Sequence, residues 1–322
     1  MSENTNLKII GMGRGVPDRR VFNDELAGFL DTDDSWISSR TGIKSRYVCT
    51  YETLTELSVT ASRQALSKAG LEAHNIDLVL CVTLGGDYVT PSLACSVAEQ
   101  ISATCPAFDI NAACTGFVYA LDVASVYLAA GRAKNILIIC AEMMSSLVDW
   151  NDRNTCILFG DGAAACVVTV GDFIKYMSLS TIADTSILNL PSGSGNSPFI
   201  KSKKEKGFLQ MQGQEVFKFA VNVVERDLLQ ALDALDMALE QIDWFLLHQA
   251  NKRIINSISR KLRQPEDKFP VNIDKYGNLS SVSIPLLLDE MLDEGKIKSG
   301  DTLFLSAFGA GLTAGSCIMV WE

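Results

Sequence analysis

The sequence holds only two histidines, His74 and His248, among its 322 residues. It has no CxxC pair and no Cys/His cluster, so a zinc site has nothing to build on. No apolar run approaches the ~18 residues that a membrane span needs. The N-terminal MSENTNLKII lacks a charged segment leading into a long apolar stretch, and no signal peptide is expected. Positive charge is in short supply: 28 Lys and Arg face 38 Asp and Glu, for a net charge of −10. Such a chain has no global field to draw nucleic-acid phosphates, and an acidic partner would need a local basic patch.

What is present is apolar. Hydrophobic residues make up 48% of the chain and charged residues 20%, enough for a large core shared by two lobes. There are nine cysteines, an odd number, and several lie inside apolar runs such as DLVLCVTL and ILIICAE. They read as reduced thiols of a cytoplasmic protein.

The chain repeats itself. At an offset of 166, ALSKAGLEAHNIDLVLCVT (65–83) overlies ALDALDMALEQIDWFLLHQ (231–249), pairing Ala65 with Ala231 and Asp77 with Asp243. Each copy reads as an amphipathic helix, a turn and a buried strand. The same offset sets Cys114 on Ser280, ahead of helical stretches 115–130 and 281–294 that stop near Gly131 and Gly295. Apolar strands and Gly-rich turns follow in both halves. The pattern implies a duplicated α/β unit with sheets covered on both faces and a site between the lobes. Lobes 1–172 and 173–322 are expected, with 184–210 as a connector and surface loop. GMGRGVP (11–17) lacks the third glycine of a dinucleotide fingerprint and is read as a turn.

Four places hold candidate chemistry. Cys114, in DINAACTGF, stands where a strand gives way to a helix, whose positive end would favour thiolate. The small Ala112, Ala113 and Gly116 would let a substrate approach. Position alone leaves a buried structural cysteine equally open. His248 ends the apolar strand WFLLHQAN, where such strands open into a crevice; His74 lies in a polar turn. Asn278 in YGNLSS belongs to the loop that the repeat matches to the Cys114 loop, so thiol and amide would face each other. The Gly-rich AFGAGLTAGS (307–316) is either a tight turn or the source of a backbone N–H, from Ala310, aimed at a developing oxyanion.

SSRTGIKSRY (38–47), CPAFDINAACTGF (105–117), FGDGAA (159–164), LLHQANKRII (246–255), YGNLSS and AFGAGLTAGS occur together, in order, over essentially the whole chain. In this the sequence resembles the β-ketoacyl-[acyl-carrier-protein] synthase III family of the thiolase superfamily. The resemblance implies a thiolase-like α/β fold, two duplicated βαβαβ lobes in five layers (αβαβα), and a homodimer. It implies a Cys-His-Asn site of Cys114, His248 and Asn278, with an oxyanion hole from the N–H groups of Cys114 and Ala310. It implies an acyl-CoA primer, malonyl-acyl carrier protein as second substrate, and no cofactor beyond coenzyme A carried as a thioester.

By the same resemblance Trp36 and Arg153 would sandwich adenine, Arg40 would contact phosphate, and Thr32, Gly213, Phe217 and Asn251 would line the pantetheine tunnel. Phe308 precedes the glycines. Cys317, the one cysteine of the C-terminal lobe, falls inside a strand and cannot be the second reactive thiol of a thiolase. Lys218, Arg253, Arg260 and Lys261, with Arg263, form a candidate docking face for an acidic carrier, whereas Lys201, Lys203, Lys204 and Lys206 read as a solvated loop. Thr90 stands where relatives often carry a bulky apolar residue that reaches the partner's acyl pocket. This leaves acetyl, branched and longer primers open. A specialised relative of secondary metabolism, condensing or only transferring an unusual acyl group, is the alternative.

Overall fold

The computed structural model describes residues 7–195 and 197–322. The N-terminal half runs β1 (Lys8–Gly15), β2 (Arg19–Phe22), α1 (Asn23–Leu26), α2 (Asp34–Thr41), β3 (Ser45–Val48), α3 (Leu54–Ala69), β4 (Leu78–Val82), α4 (Leu93–Ile101), β5 (Ala107–Ile110), α5 (Gly116–Ala129), β6 (Asn135–Met143) and β7 (Asp161–Thr169). The second half runs β8 (Ile174–Asp184), β9 (Leu188–Asn189), β10 (Gln210–Met211), α6 (Gly213–Leu235), β11 (Trp244–Leu247), α7 (Lys252–Leu262), α8 (Ile273–Tyr276), α9 (Ser283–Asp293), β12 (Thr302–Gly309) and β13 (Gly311–Val320).

Two mixed sheets carry the fold, ordered β1-β7-β6-β4-β5 and β8-β13-β12-β11. In the first, β4 pairs parallel with β6, while β6 with β7 and β7 with β1 are antiparallel. In the second, β11 pairs parallel with β12, while β12 with β13 and β13 with β8 are antiparallel. The repeat seen in the sequence is thus a repeat of pairing order and sense.

Period-two burial builds the layers. Leu78, Leu80, Val82, Ile136, Ile138 and Cys140 point to a central core shared with α5, α9 and the inner face of the second sheet. The alternate residues Val79, Cys81, Leu137 and Ile139 point the other way, to α3 and α4. Phe245, Leu247, Phe304 and Ile318 of the second sheet pack under α6 and α7. The layers are therefore α3/α4, sheet, α5/α9, sheet, α6/α7: a thiolase-like αβαβα fold.

Two details differ from the sequence expectation. The second sheet has four strands among the described residues, because the counterpart of β5 is the short helix α8. Side chains hold the chain away from a ladder there. Asn272 N–H donates to Gln249 Oε1, while Asn272 Nδ2 and the Tyr276 hydroxyl both donate to Glu290. The other concerns Gly11, Gly13 and Gly15, which sit within strand β1 rather than in a turn. A Cβ on them would stand 2.2, 2.4 and 2.1 Å from the carbonyl oxygens of Ala65, Ala61 and Leu57. These glycines exist so that α3 can lie directly on the strand.

The halves are also tied by charge. Arg14 and Lys68 from the first half both reach Asp289 and Asp293 on α9, and the Asp289 side chain is fully buried. Among the described residues no helix is long and apolar enough to cross a membrane.

Candidate active site

A cavity of about 1150 Å³ opens between the two sheets at the C-terminal ends of β4, β5 and β11. Cys114, His248, Asn278, Phe308 and Ala310 line it together. Each arrives by a different route. Strand β5 ends at Ile110, and the chain turns through a 3-10 helix at Ala113–Thr115 before α5 begins. Ala113 takes a positive φ of 48° in that turn. Gly309, at the end of β12, closes over the loop. A Cβ there would lie 3.0 Å from Cys114 N and 3.2 Å from Cys114 Cβ. Gly116, expected to admit substrate, instead admits Val82, whose Cγ1 would be 2.1 Å from its Cβ. Ala112 and Ala113 do line the cavity.

The resting thiol is not the thiolate that the helix N-terminus suggested. Cys114 opens onto the cavity, yet protein surrounds it closely enough that burial pushes the thiol up to about 12. The negative charge of Glu142 works in the same direction, and only the thiolate, once formed, would take a hydrogen bond from Ser280 that opposes it. Cys114 precedes α5 by a turn of 3-10 helix, so the dipole acts on it from outside the helix proper.

His248 follows β11 directly and is 2% exposed. Burial lowers its imidazole to about 3, so the ring is neutral. Nδ1 lies 2.8 Å from Ser283 Oγ, and Ser283 in turn donates to the Ser280 carbonyl. A carbonyl only accepts, so the Ser283 proton is committed and Nδ1–H must be the donor. Nε2 is left as an acceptor. For Nε2 to donate, the Ser283 hydroxyl must swing to Nδ1. The ring of Phe308 meets His248 edge to face, with centroids 5.3 Å apart.

Asn278 is 6% exposed and pinned by its backbone, donating to Leu158 O and accepting from Gly160 N–H. Its Oδ1 accepts from Ser280 N–H at 2.8 Å, which fixes the amide orientation and leaves the Nδ2 donors for the cavity. Ala310 has an ordinary negative φ; the left-handed residue of the turn is Gly311, at 139°. Alanine is therefore unstrained there.

Gly213, Phe217 and Asn251 line the outer part of the cavity, and Asn251 also caps α7 by accepting from Arg253 N–H. Thr32, Trp36, Arg40 and Arg153 lie beyond its lining. Both arginines rest on the Trp36 ring, Arg40 at 4.5 Å and Arg153 at 5.0 Å from the centroid. Arg153 is further held by Asp31, so the slot expected between Trp36 and Arg153 is closed in this structure. The hydroxyl of Thr32 is buried without a hydrogen-bond partner. Thr90 is exposed and does not line the cavity of its own chain.

The expected basic face is thinner than its residue count. Lys218 pairs with Glu215 and Lys261 with Glu225, leaving Arg253, Arg260 and Arg263 without an ion pair among the described residues. Lys206, read as part of a solvated loop, reaches the cavity lining. His74 is exposed, and Cys317 is buried in β13.

Sequence reasoning missed Glu142, Ser280, Ser281 and Ser283. Ser280 had a signal, since the repeat sets Cys114 on it. A lone carboxylate in the apolar strand ILIICAEM was the signal for Glu142.

Comparison with known proteins points one way. The profile of 3-Oxoacyl-[acyl-carrier-protein (ACP)] synthase III matches residues 108–185, and that of its C-terminal part matches 232–321. Beta-ketoacyl-[acyl-carrier-protein] synthase III of Natranaerobius thermophilus is 44% identical, covering 98% of this chain and 100% of its own. That of Clostridium novyi is 41% identical, covering 98% and 99%. The crystal structure of 3-oxoacyl-[acyl-carrier-protein] synthase III from Aquifex aeolicus superposes with a TM-score of 0.90 at 40% identity, covering 98% and 100%.

Proposed function

The chain belongs to the β-ketoacyl-[acyl-carrier-protein] synthase III family, and from that premise we propose how Cys114, His248 and Asn278 divide its reaction. The activity is an acyl transfer with condensation. An acyl-CoA and malonyl-[acyl-carrier-protein] give 3-oxoacyl-[acyl-carrier-protein], CO2 and CoA, the step that initiates fatty-acid synthesis.

In the first half, Cys114 Sγ attacks the thioester carbonyl, the acyl carbon leaves CoA sulfur, and the acyl group stays on the enzyme. The N–H groups of Cys114 and Ala310 stabilise the tetrahedral oxyanion. In the second half, the malonyl thioester oxygen faces Asn278 Nδ2 and His248 Nε2. Loss of CO2 makes an enolate that Asn278 stabilises as a fixed donor. His248 joins it once Nε2 carries a proton. The enolate carbon then takes the acyl group from Cys114. Decarboxylation supplies the nucleophile, so the reading needs no metal, flavin or nicotinamide.

CoA adenine would enter by lifting Arg153 off Trp36 and would satisfy the Thr32 hydroxyl. Arg40 would turn to phosphate, and pantetheine would run past Phe217, Gly213 and Asn251. The acidic carrier would dock chiefly on Arg253 and Arg260. The lobes divide at 172/173. A second copy of the chain would cover the open edge of β5, with exposed Tyr88 and Val89 beside it and Thr90 turned toward the partner. The cytoplasm is the expected location.

The convergence of a thiol, an imidazole and an oriented amide donor on one cavity carries this reading. Incubation with a panel of acyl-CoAs, followed by intact and peptide mass analysis, tests it. One acyl mass on Cys114 that clears with CO2 release on adding malonyl carrier is expected. No acylation across the panel, or acylation equal in Cys114→Ala, would sink it.

A further inference from the structure

Glu142 has no part in the reaction as described, yet it is wired to the nucleophile. Its carboxylate is 1% exposed, at the end of β6. Oε2 accepts from Leu84 N–H at 3.0 Å, and Oε1 accepts from Ser281 Oγ at 2.9 Å and Ser280 Oγ at 3.1 Å. No cation is paired with it among the described residues. Ser280 Oγ is also 3.4 Å from Cys114 Sγ. The hydroxyl has one proton. Because a carboxylate oxygen can only accept it, the contact with sulfur is made with Ser280 accepting from the thiol. The chain Cys114 S–H, Ser280 O–H, Glu142 carboxylate is therefore directional. Ser280 is held in place at a φ of 52°, a costly conformation for serine.

We propose that Glu142, acting through Ser280, stores the Cys114 proton for as long as the cysteine is acylated. The inference rests on Cys114 being the nucleophile. When Cys114 Sγ bonds to the acyl carbon, its proton passes to Ser280 Oγ and the Ser280 proton passes to Glu142. The CoA–acyl bond breaks, and CoA thiolate takes a proton from solvent as it leaves. When the enolate carbon takes the acyl group, the C–S bond breaks toward sulfur. The Cys114 thiolate then recovers a proton from Ser280, which Glu142 refills. One solvent proton is consumed overall, on CoA. Ser280 shuttles and Glu142 is ready for the next cycle without opening the site.

Burial supports the role. It raises Glu142 to about 7, the hydrogen bonds working against it, so the carboxyl can both take and return a proton near neutrality. The titratable groups that face it are Cys114, before α5, and Cys140, on its own strand. The contacts from the other elements are the uncharged Ser280, Ser281 and Leu84 N–H.

Iodoacetamide tests this without any acyl-CoA. The alkylation rate of Cys114 in the whole protein, followed by peptide mass, is measured against pH. The wild type should show a rise with a midpoint near 7, where Glu142 becomes able to accept. Ser280→Ala and Glu142→Gln should lose that rise and react about 10²-fold more slowly at pH 7. Ser281→Ala removes a hydrogen bond that favours the carboxylate, so its midpoint should move to higher pH. If Glu142→Gln fails to fold, Ser280→Ala decides, because Glu142 keeps its Ser281 and Leu84 partners there. A wild type without the inflection overturns the proposal. So does an inflection that persists in both variants, or one that vanishes only in His248→Ala. Cys114 that shows the inflection but accepts no acyl group would defeat the functional reading and the storage role with it, leaving only the proton path from Cys114 through Ser280 to Glu142.

Discussion

Cys114 Sγ lies 3.4 Å from Ser280 Oγ, the residue 166 positions later that the internal repeat sets opposite it. The two copies of one loop meet across the lobe interface. One brings Cys114, and the other brings its hydrogen-bond partner together with Asn278, two residues before.

In the proposed division of roles, Asn278 serves only the second half-reaction. Asn278→Asp keeps the shape but replaces the Nδ2 donors with an acceptor. CO2 release from malonyl carrier should fall about 10²- to 10³-fold. Acylation of Cys114 should change far less. Equal losses in both, measured by quench-flow, would mean the amide acts on the whole loop rather than on the enolate.

Gly309→Ala should damage acylation without unfolding the protein. The new methyl would stand 3.0 Å from Cys114 N, so the thiol loop must shift. A fall of at least about tenfold in acylation is expected, because small displacements of a reacting group are costly. Unchanged acylation would show that the loop yields easily.

Trp36→Ala should raise KM for acyl-CoA while kcat stays near its original value, since adenine is remote from the thiol. The aromatic surface is worth about 1–2 kcal/mol, or roughly 10-fold in KM. Arg253→Ala and Arg260→Ala should raise KM for the carrier. Lys218→Ala should do so much less, because Glu215 already neutralises it. Equal effects from all three would overturn the docking assignment.

Asp289→Ala should cost about 1.5–3 kcal/mol, because it removes the buried acceptor of Arg14 and Lys68 at the lobe interface and leaves them only Asp293. Urea denaturation would read this as a lower midpoint. Asp293→Ala, at an exposed position, should cost far less.

Glu142 should also leave a mark on stability. Its folded value of about 7 lies above the ordinary 4.5. Between these limits the folded state holds more proton than the unfolded one, so its contribution is full below about 4.5 and is lost as pH rises through about 7. The stability of wild type relative to Glu142→Gln should therefore fall by roughly 3 kcal/mol across that window. A flat difference in denaturation midpoints would show that Glu142 titrates normally.

The sequence by itself determined the layered α/β architecture, and it singled out Cys114, His248 and Asn278, which the structure brings to one cavity. Alternating apolar runs can satisfy two buried faces only in sheets covered by helices, and the 166-residue offset placed the Cys114 loop against the Asn278 loop. It excluded a dinucleotide fingerprint at Gly11–Gly15 for want of the third glycine, but it read a turn where these glycines lie in a strand under α3. The tertiary structure alone decided the rest. Proton positions depend on which partner the fold brings to a side chain: Ser283, on α9, sets the tautomer of His248, which follows β11. The protonation of Cys114 and Glu142 depends on burial, which sums over every layer. Ion pairing of Lys261, on α7, to Glu225, on α6, decided that this basic residue is not open. These are long-range, many-body quantities, and no short stretch of sequence contains them.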